Sequence, residues 1–195
     1  MKFRTLLVGV AFALCVTLAQ AVDSQIYFSR SDPVAQIITR EIDGAKKSIY
    51  ALVYAITDES LAKALIRAAE RGVDVRIAID RTQAAGTESV SDLLLQKLGP
   101  QRVVFRTGKG RGVMHEKMAI FDGLTVTLGS FNWTDNARDN NWENMIVIRD
   151  ATLAARCLGE FQRVWNSPAP KSSTKSKAKP EASGAKPKAD PVKKK

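Results

Sequence analysis

From residue 25 onward the chain alternates two kinds of apolar pattern. Short near-continuous apolar runs occupy 25–29, 48–56, 73–80 and 102–106. Between them apolar residues recur every three or four positions, the spacing of an amphipathic helix. The segment 31–47 predicts such a helix. Val34, Ile37, Ile38 and Ile42 form its apolar stripe, Asp32 is the expected N-cap and Pro33 the first helical residue. The segment 57–72 predicts a second helix, capped by Thr57, acidic in its first turn and stopped at Gly72. A third is expected over 88–99, and a closing one over 150–165. After residue 106 the pattern changes. Three strands, 112–121, 124–130 and 143–149, follow with little between them. Strand and helix alternating first, then strands clustering, predicts an α/β fold. Its mixed β-sheet is parallel at first and antiparallel at the end, with helices on both faces. Sites in such sheets form at the strands' carboxyl ends. The polar stretch 80–89 lies at one of them and reads equally as a substrate loop or a surface connection.

The ends of the chain do not fit this pattern. Lys2 and Arg4, an apolar stretch, and the small residues Ala19 to Ala21 read as a secretory signal over 1–21. The basic tail, 167–195, holds nine lysines against Glu181 and Asp190, with Val192 its only large apolar residue. That composition predicts disorder. One folded domain over 22–166 remains. Its Lys and Arg nearly balance its Asp and Glu, so the net charge of +10 belongs mainly to the two ends. Removing the signal leaves Cys157 as the one cysteine, expected as a buried filler in the closing helix, and the core must hold without a disulfide. No integral membrane span is expected after cleavage, and the location implied is periplasmic or secreted.

The only histidine, His115, lies in the basic stretch 97–117. Asp122-Gly123 between two apolar strands predicts a two-residue hairpin turn. That register sets Lys117 opposite Leu128 and His115 opposite Ser130. Alternation then brings His115, Lys117, Ser130 and Asn132 to one side. An imidazole can attack phosphorus or donate a proton near neutral pH. A lysine and two neutral donors around it suit a phosphodiester, whose charge they stabilise in the transition state.

His115-x-Lys117-x4-Asp122-x6-Gly129-Ser130-x-Asn132 resembles the HKD motif of the phospholipase D superfamily, with each defining position filled. The single motif, the short chain and the signal make it most similar to the small Nuc-type bacterial endonucleases of that superfamily. Glu143 matches the acidic residue those enzymes carry after the motif. The resemblance implies a phospholipase D-like α-β-α sandwich and a phosphohistidine formed on His115. It also implies phosphate oxygens held by Lys117 and Asn132, a carboxylate orienting the histidine, and no metal or other cofactor. Larger members carry two motifs. Here a homodimer is expected to place His115 of each subunit across a two-fold axis, one as nucleophile and one as acid. Asp122 has two readings, turn chemistry or catalysis. Glu143 is the candidate to orient His115.

Other features are weaker. Gly108, Gly110 and Gly112 surround Lys109 and Arg111, expected as a basic rim that binds substrate. The stretch lacks the ending of a nucleotide-triphosphate loop. The acidic 134–141 stretch lacks calcium-loop spacing and is expected as a solvent loop. Phe131 and Trp133 read as core or as base-stacking rings. The function expected is a metal-independent phosphodiesterase, a non-specific endonuclease cleaving DNA, with RNA open as a second polymer. A lipid phosphodiesterase and a non-catalytic nucleic-acid-binding module are the alternatives.

Overall fold

The computed structural model describes residues 22–169. The expected signal and the tail from residue 170 lie outside the described residues. In chain order the elements are β1 (Asp23–Phe28), α1 (Val34–Gly44), β2 (Ser48–Val53), α2 (Glu59–Glu70), β3 (Asp74–Asp80), α3 (Arg81–Ala84), α4 (Ser91–Leu98), β4 (Val103–Arg106), β5 (Lys117–Phe121), β6 (Thr125–Gly129), α5 (Asp135–Asp139), β7 (Asn144–Arg149) and α6 (Ala151–Trp165).

The strands form one seven-stranded sheet in the order β1-β7-β6-β5-β2-β3-β4. The β2-β3-β4 half is parallel. The rest is antiparallel, joined to it through β2 and β5. The expected mixed sheet is thus present. β2 is apolar on both faces because both are covered. Ile49, Ala51 and Val53 enter one core with α1, α2 and α4, whose Ile38, Ile42, Leu61, Leu65 and Leu94 are fully buried. Leu52 enters the other core, beneath Ala154, Cys157 and Phe161 of α6. Cys157 is therefore buried as expected. The C-terminus of α6 is tied down by Arg106, whose Nε donates to the carbonyls of Val164 and Trp165 at 3.1 and 3.2 Å. Among the described residues no helix is long and apolar enough to cross a membrane.

Helix starts differ from the expected ones by small steps. α1 begins at Val34, with Pro33 in the cap position, and the Asp32 carboxylate accepts instead from the Phe28 amide at 2.9 Å. α2 is capped by Asp58, not Thr57. The Asp58 carboxylate accepts from the amides of Ser60 and Leu61, and its other oxygen takes Arg138 at 2.6 Å. A buried carboxylate with a cation partner satisfies both the helix end and its own charge, which a threonine hydroxyl cannot. The third helix starts at Ser91, three residues late, and the 80–89 stretch opens as α3, capped by Asp80. The expected solvent loop at 134–141 contains α5.

Candidate active site

The hairpin between β5 and β6 turns at Asp122 and Gly123, both at positive φ, 55° and 67°, with the Leu124 amide donating to Phe121. The turn is the expected one, but the register is not. Phe121 pairs with Thr125, and Met118 with Leu128. Leu124 is left out of the ladder as a bulge. It is half exposed, and its carbonyl accepts from Asp150 instead. One residue of slip reverses the facing of a whole strand. Leu128 therefore lies opposite Met118, both on the α6 side, and Lys117 does not face it. His115 precedes β5 and is not in the ladder.

The motif is brought together by the exit of β2 instead. Beyond Val53 the chain runs between the motif's two halves. The Tyr54 amide donates to the Glu116 carbonyl at 2.8 Å, and the Trp133 amide donates to Ala55 at 3.1 Å. Trp133 in turn accepts from Thr57 and Asp58 through its carbonyl. Phe131 and Trp133 are buried, 3% and 2% exposed, so they are core and not base-stacking rings. They anchor Asn132 between them. The Asn132 Oδ1 is buried without a hydrogen-bond partner.

His115 and Lys117 are in contact. Lys117 Nζ lies 3.1 Å from His115 Nδ1 and donates to the His115 carbonyl at 2.9 Å. An ammonium can only donate, so Nδ1 accepts and the ring proton belongs on Nε2. That neutral tautomer leaves Nε2 as a hydrogen-bond donor. Burial pushes the Lys117 ammonium pKa down, while the nearby charges of Glu143 and Glu116 oppose the shift. Ser130 and Glu143 form the second group. Ser130 Oγ donates to Glu143 Oε2 at 2.5 Å and accepts from the Asn144 amide at 3.0 Å. Asn141 Nδ2 donates to Glu143 Oε1 at 3.0 Å. Both carboxylate oxygens are thus engaged, and among the described residues Glu143 makes no hydrogen bond to His115. Its tie to the histidine pair is its attraction for Lys117.

Gly129 lets these groups approach. A Cβ there would lie 2.3 Å from the Asn144 carbonyl oxygen, so β6 can pass β7 this closely only without a side chain. Asp122 lies at the other end of β5. Its carboxylate accepts from the amides of Lys46, Lys47 and Ser48 at 2.7 to 3.1 Å, fixing the start of β2. Burial raises the Asp122 carboxyl pKa, but these amides and the nearby Lys47 charge bring it below its ordinary value. Asp122 thus clamps the start of β2 to the turn through backbone amides.

His115 opens on a groove of about 340 Å³ between the 107–113 loop and the end of α6. Lys109 and Arg163 line it, as do Glu116 and Glu160, whereas Arg111 is exposed and does not. Sequence reasoning missed three groups. Tyr54 has its ring centroid 4.3 Å from that of His115, and Lys117 Nζ lies 4.7 Å from it. Gln83 Nε2 donates to Tyr54 Oη at 3.0 Å. Asp80, fully buried, accepts from the Met114 amide at 2.9 Å. These residues are far from the motif in the chain. The one available signal was the position of Asp80 at the end of an apolar strand.

The exposed histidine, the lysine in contact with it and the hydroxyl–carboxylate pair lie at the carboxyl ends of β2 and β6. They are the groups a phosphoryl site requires, set on an α-β-α sandwich. Residues 38–165 match the family described as Cardiolipin synthase, PLD-like domain, and the chain belongs to that family. Its fold is that of a phospholipase D family member, Nuc from Salmonella typhimurium, with a TM-score of 0.68 and 32% identity. The match covers 75% of this chain and 95% of Nuc. NucT from Helicobacter pylori superposes with a TM-score of 0.68 at 25% identity, over 75% of this chain and 98% of NucT. A mitochondrial cardiolipin hydrolase from Xenopus laevis is 34% identical over 63% of this chain and 56% of that protein. A phospholipase D from Rickettsia bellii is 37% identical over 65% of this chain and 61% of that protein. The matched region thus spans well under two thirds of these two relatives' length.

Proposed function

We propose that this chain is a metal-independent phosphodiesterase acting on DNA, and on RNA as a second polymer, as a non-specific endonuclease in the periplasm or outside the cell. The contact of His115 with Lys117, beside a groove that His115 and Lys109 line, carries this reading. A phosphate entering the groove draws the Lys117 ammonium from Nδ1 to its own oxygens, and the Asn132 amide group completes the cradle. Nε2 of His115 then attacks phosphorus. A P–N bond forms and the P–O bond to the leaving oxygen breaks. His115 of the partner subunit, protonated on both ring nitrogens, gives its Nε2 proton to that oxygen and, now neutral, takes one from water. The hydroxide formed displaces the histidine and restores both rings. For Nε2 to attack, the imidazole proton must move to Nδ1. Lys117, once bound to phosphate, no longer blocks that nitrogen, and Glu143 is the nearby carboxylate able to accept from it.

The homodimer is part of the proposal. One chain supplies one imidazole, and the chemistry uses two. Ile26, Phe28 and Trp142 are 57%, 50% and 86% exposed at the β1-β7 edge, an apolar surface suited to a second copy.

The names of the cardiolipin hydrolase and phospholipase D relatives favour a lipid as the second reading. An acyl chain needs an apolar groove beside the histidine. The groove beside His115 has Val113, Met114 and Val164 in its wall but also the charged Lys109, Glu116, Glu160 and Arg163, and a more apolar groove, about 690 Å³ between Val22, Ile148 and Leu153, lies at the opposite end of the strands. It is thus roughly 15 Å from the site by strand rise. Polynucleotide is therefore the preferred substrate. The test offers the protein DNA, RNA, bis(p-nitrophenyl) phosphate and cardiolipin vesicles, with and without EDTA. Hydrolysis of DNA that survives EDTA and vanishes in His115→Ala is expected. Cleavage of cardiolipin alone would establish the lipid reading, and loss of activity in EDTA restored by one divalent ion would end the metal-independent one.

A further inference from the structure

We propose that Tyr54 is the positioning residue of this site. It holds the His115 ring at the groove while the partner of Nδ1 changes, and Gln83 locks it in place. The proposal rests on the phosphodiesterase reading above.

The mechanism makes a demand that the motif alone does not meet. His115 is exposed and precedes β5, so no ladder hydrogen bond fixes its backbone. Among the described residues its one side-chain hydrogen-bond contact, Nδ1 to Lys117 Nζ, is the contact that a bound phosphate removes. At that moment a ring with no other support would be free to rotate about its side-chain bonds. Productive attack needs the nucleophile within a narrow range of positions.

Tyr54 supplies a support of a different kind. Its ring centroid lies 4.3 Å from that of His115, with 59° between the planes, a tilted aromatic contact. This contact is made by the rings and not by either ring nitrogen. It therefore survives a change of tautomer, the loss of Lys117 and the formation of a bond at Nε2. The same ring carries Lys117 Nζ at 4.7 Å, within the range in which an ammonium is attracted to an aromatic face. One side chain thus touches both reactive groups of the motif.

Tyr54 can serve this way only if it is itself held, and it is held at both ends. Its amide donates to the Glu116 carbonyl, directly after His115. Its hydroxyl accepts from Gln83 Nε2 at 3.0 Å. Gln83 sits on α3, whose cap is Asp80. The other oxygen of that fully buried carboxylate accepts from the Met114 amide, directly before His115. The histidine is thus bracketed in backbone and ring by the exits of β2 and β3, neither of which contains a motif residue.

The sole histidine makes a direct test possible. Protein labelled with carbon-13 in histidine gives one imidazole, and the Tyr54 ring current displaces its proton signals. Tyr54→Leu should abolish that displacement and lower kcat on bis(p-nitrophenyl) phosphate by about 10- to 100-fold, the range that misplacement of a reacting group produces. Tyr54→Phe keeps the ring but not its hydrogen bond from Gln83, so it should restore the displacement with broadened signals and only part of kcat. Gln83→Ala frees the hydroxyl and should leave the imidazole signals broadened. A His115 signal that is the same in wild type and in folded Tyr54→Leu overturns the proposal, because the contact is then absent in solution. So does a shifted signal with unchanged kcat. If Tyr54→Leu does not fold, Gln83→Ala decides by the same two readings. A wild-type chain inert towards every phosphodiester, with the ring-current shift present, instead overturns the reading beneath the proposal. The two failures are therefore distinct.

Discussion

Asp122 shows how a motif position can be held by backbone geometry. It stands at φ 55° in the turn, far along β5 from His115, and three backbone amides converge on its carboxylate. Hydrogen bonds to the ionised form favour it, which is why the carboxyl titrates below its ordinary value although burial alone would raise it. The sign of the pH dependence follows. A carboxyl lowered in the folded state stabilises the fold fully above its unfolded pKa of about 3.9, and that stabilisation is lost as pH falls through the folded value. Asp122→Asn should therefore cost about 1–2 kcal/mol at neutral pH. It should also flatten the acid limb of stability, read as the urea midpoint from pH 5 downward. An unchanged acid limb would show that these amides do not hold the carboxylate in solution.

At the scale of elements, the sequence revealed most strands, the mixed order of the sheet and the turn at Asp122-Gly123. It missed the bulge at Leu124. Turn chemistry depends on the two residues that turn, whereas the register also depends on Asp150, whose amide takes the Leu124 carbonyl from the end of the neighbouring β7. No local pattern contains that partner. The caps failed for the same reason, since Asp58 is chosen over Thr57 by Arg138, a residue of α5. The convergence expected on His115 was thus right in its members His115 and Lys117 and wrong in its route. Ser130 and Glu143 are placed through Gly129, where β6 and β7 nearly touch. Gly129→Ala puts a methyl against backbone atoms of Asn144 and Met145, 2.3 and 2.9 Å away, which cannot swing aside. It should destabilise the domain by about 3 kcal/mol and reduce activity further in what still folds, because Ser130 loses its register with Glu143. Thermal denaturation and kcat on a small phosphodiester read the two effects separately.

For the whole molecule, two cores flank a sheet whose β1-β7 edge leaves Ile26, Phe28 and Trp142 in solvent. A second copy over that edge would cover them. If the two histidines act together, a heterodimer of one wild-type chain and one His115→Asn chain, isolated by two tags, should have far less than half the wild-type dimer's rate. A rate near half, or a fully active monomer in sedimentation at assay concentration, would mean that each chain works alone.

The passage of the β2 exit between the two halves of the motif also bears on how the molecule is made. Tyr54 meets Glu116, and Ala55 meets Trp133, across long stretches of intervening chain. Such contacts close large loops before they return any stabilisation, so they form late. The active centre is then among the last parts of the domain to assemble and depends on the whole sheet being in place. Amide hydrogen exchange gives this a visible form. The Trp133 and Tyr54 amides should exchange only through global opening, whereas the amides of the exposed Lys109, Gly110 and Arg111 should exchange within moments of dilution into heavy water. A translation product halted before Trp133 would contain His115 and Lys117 yet lack the strand crossing that makes them a site. Such a truncated chain should show no hydrolysis of bis(p-nitrophenyl) phosphate, in contrast to the full chain.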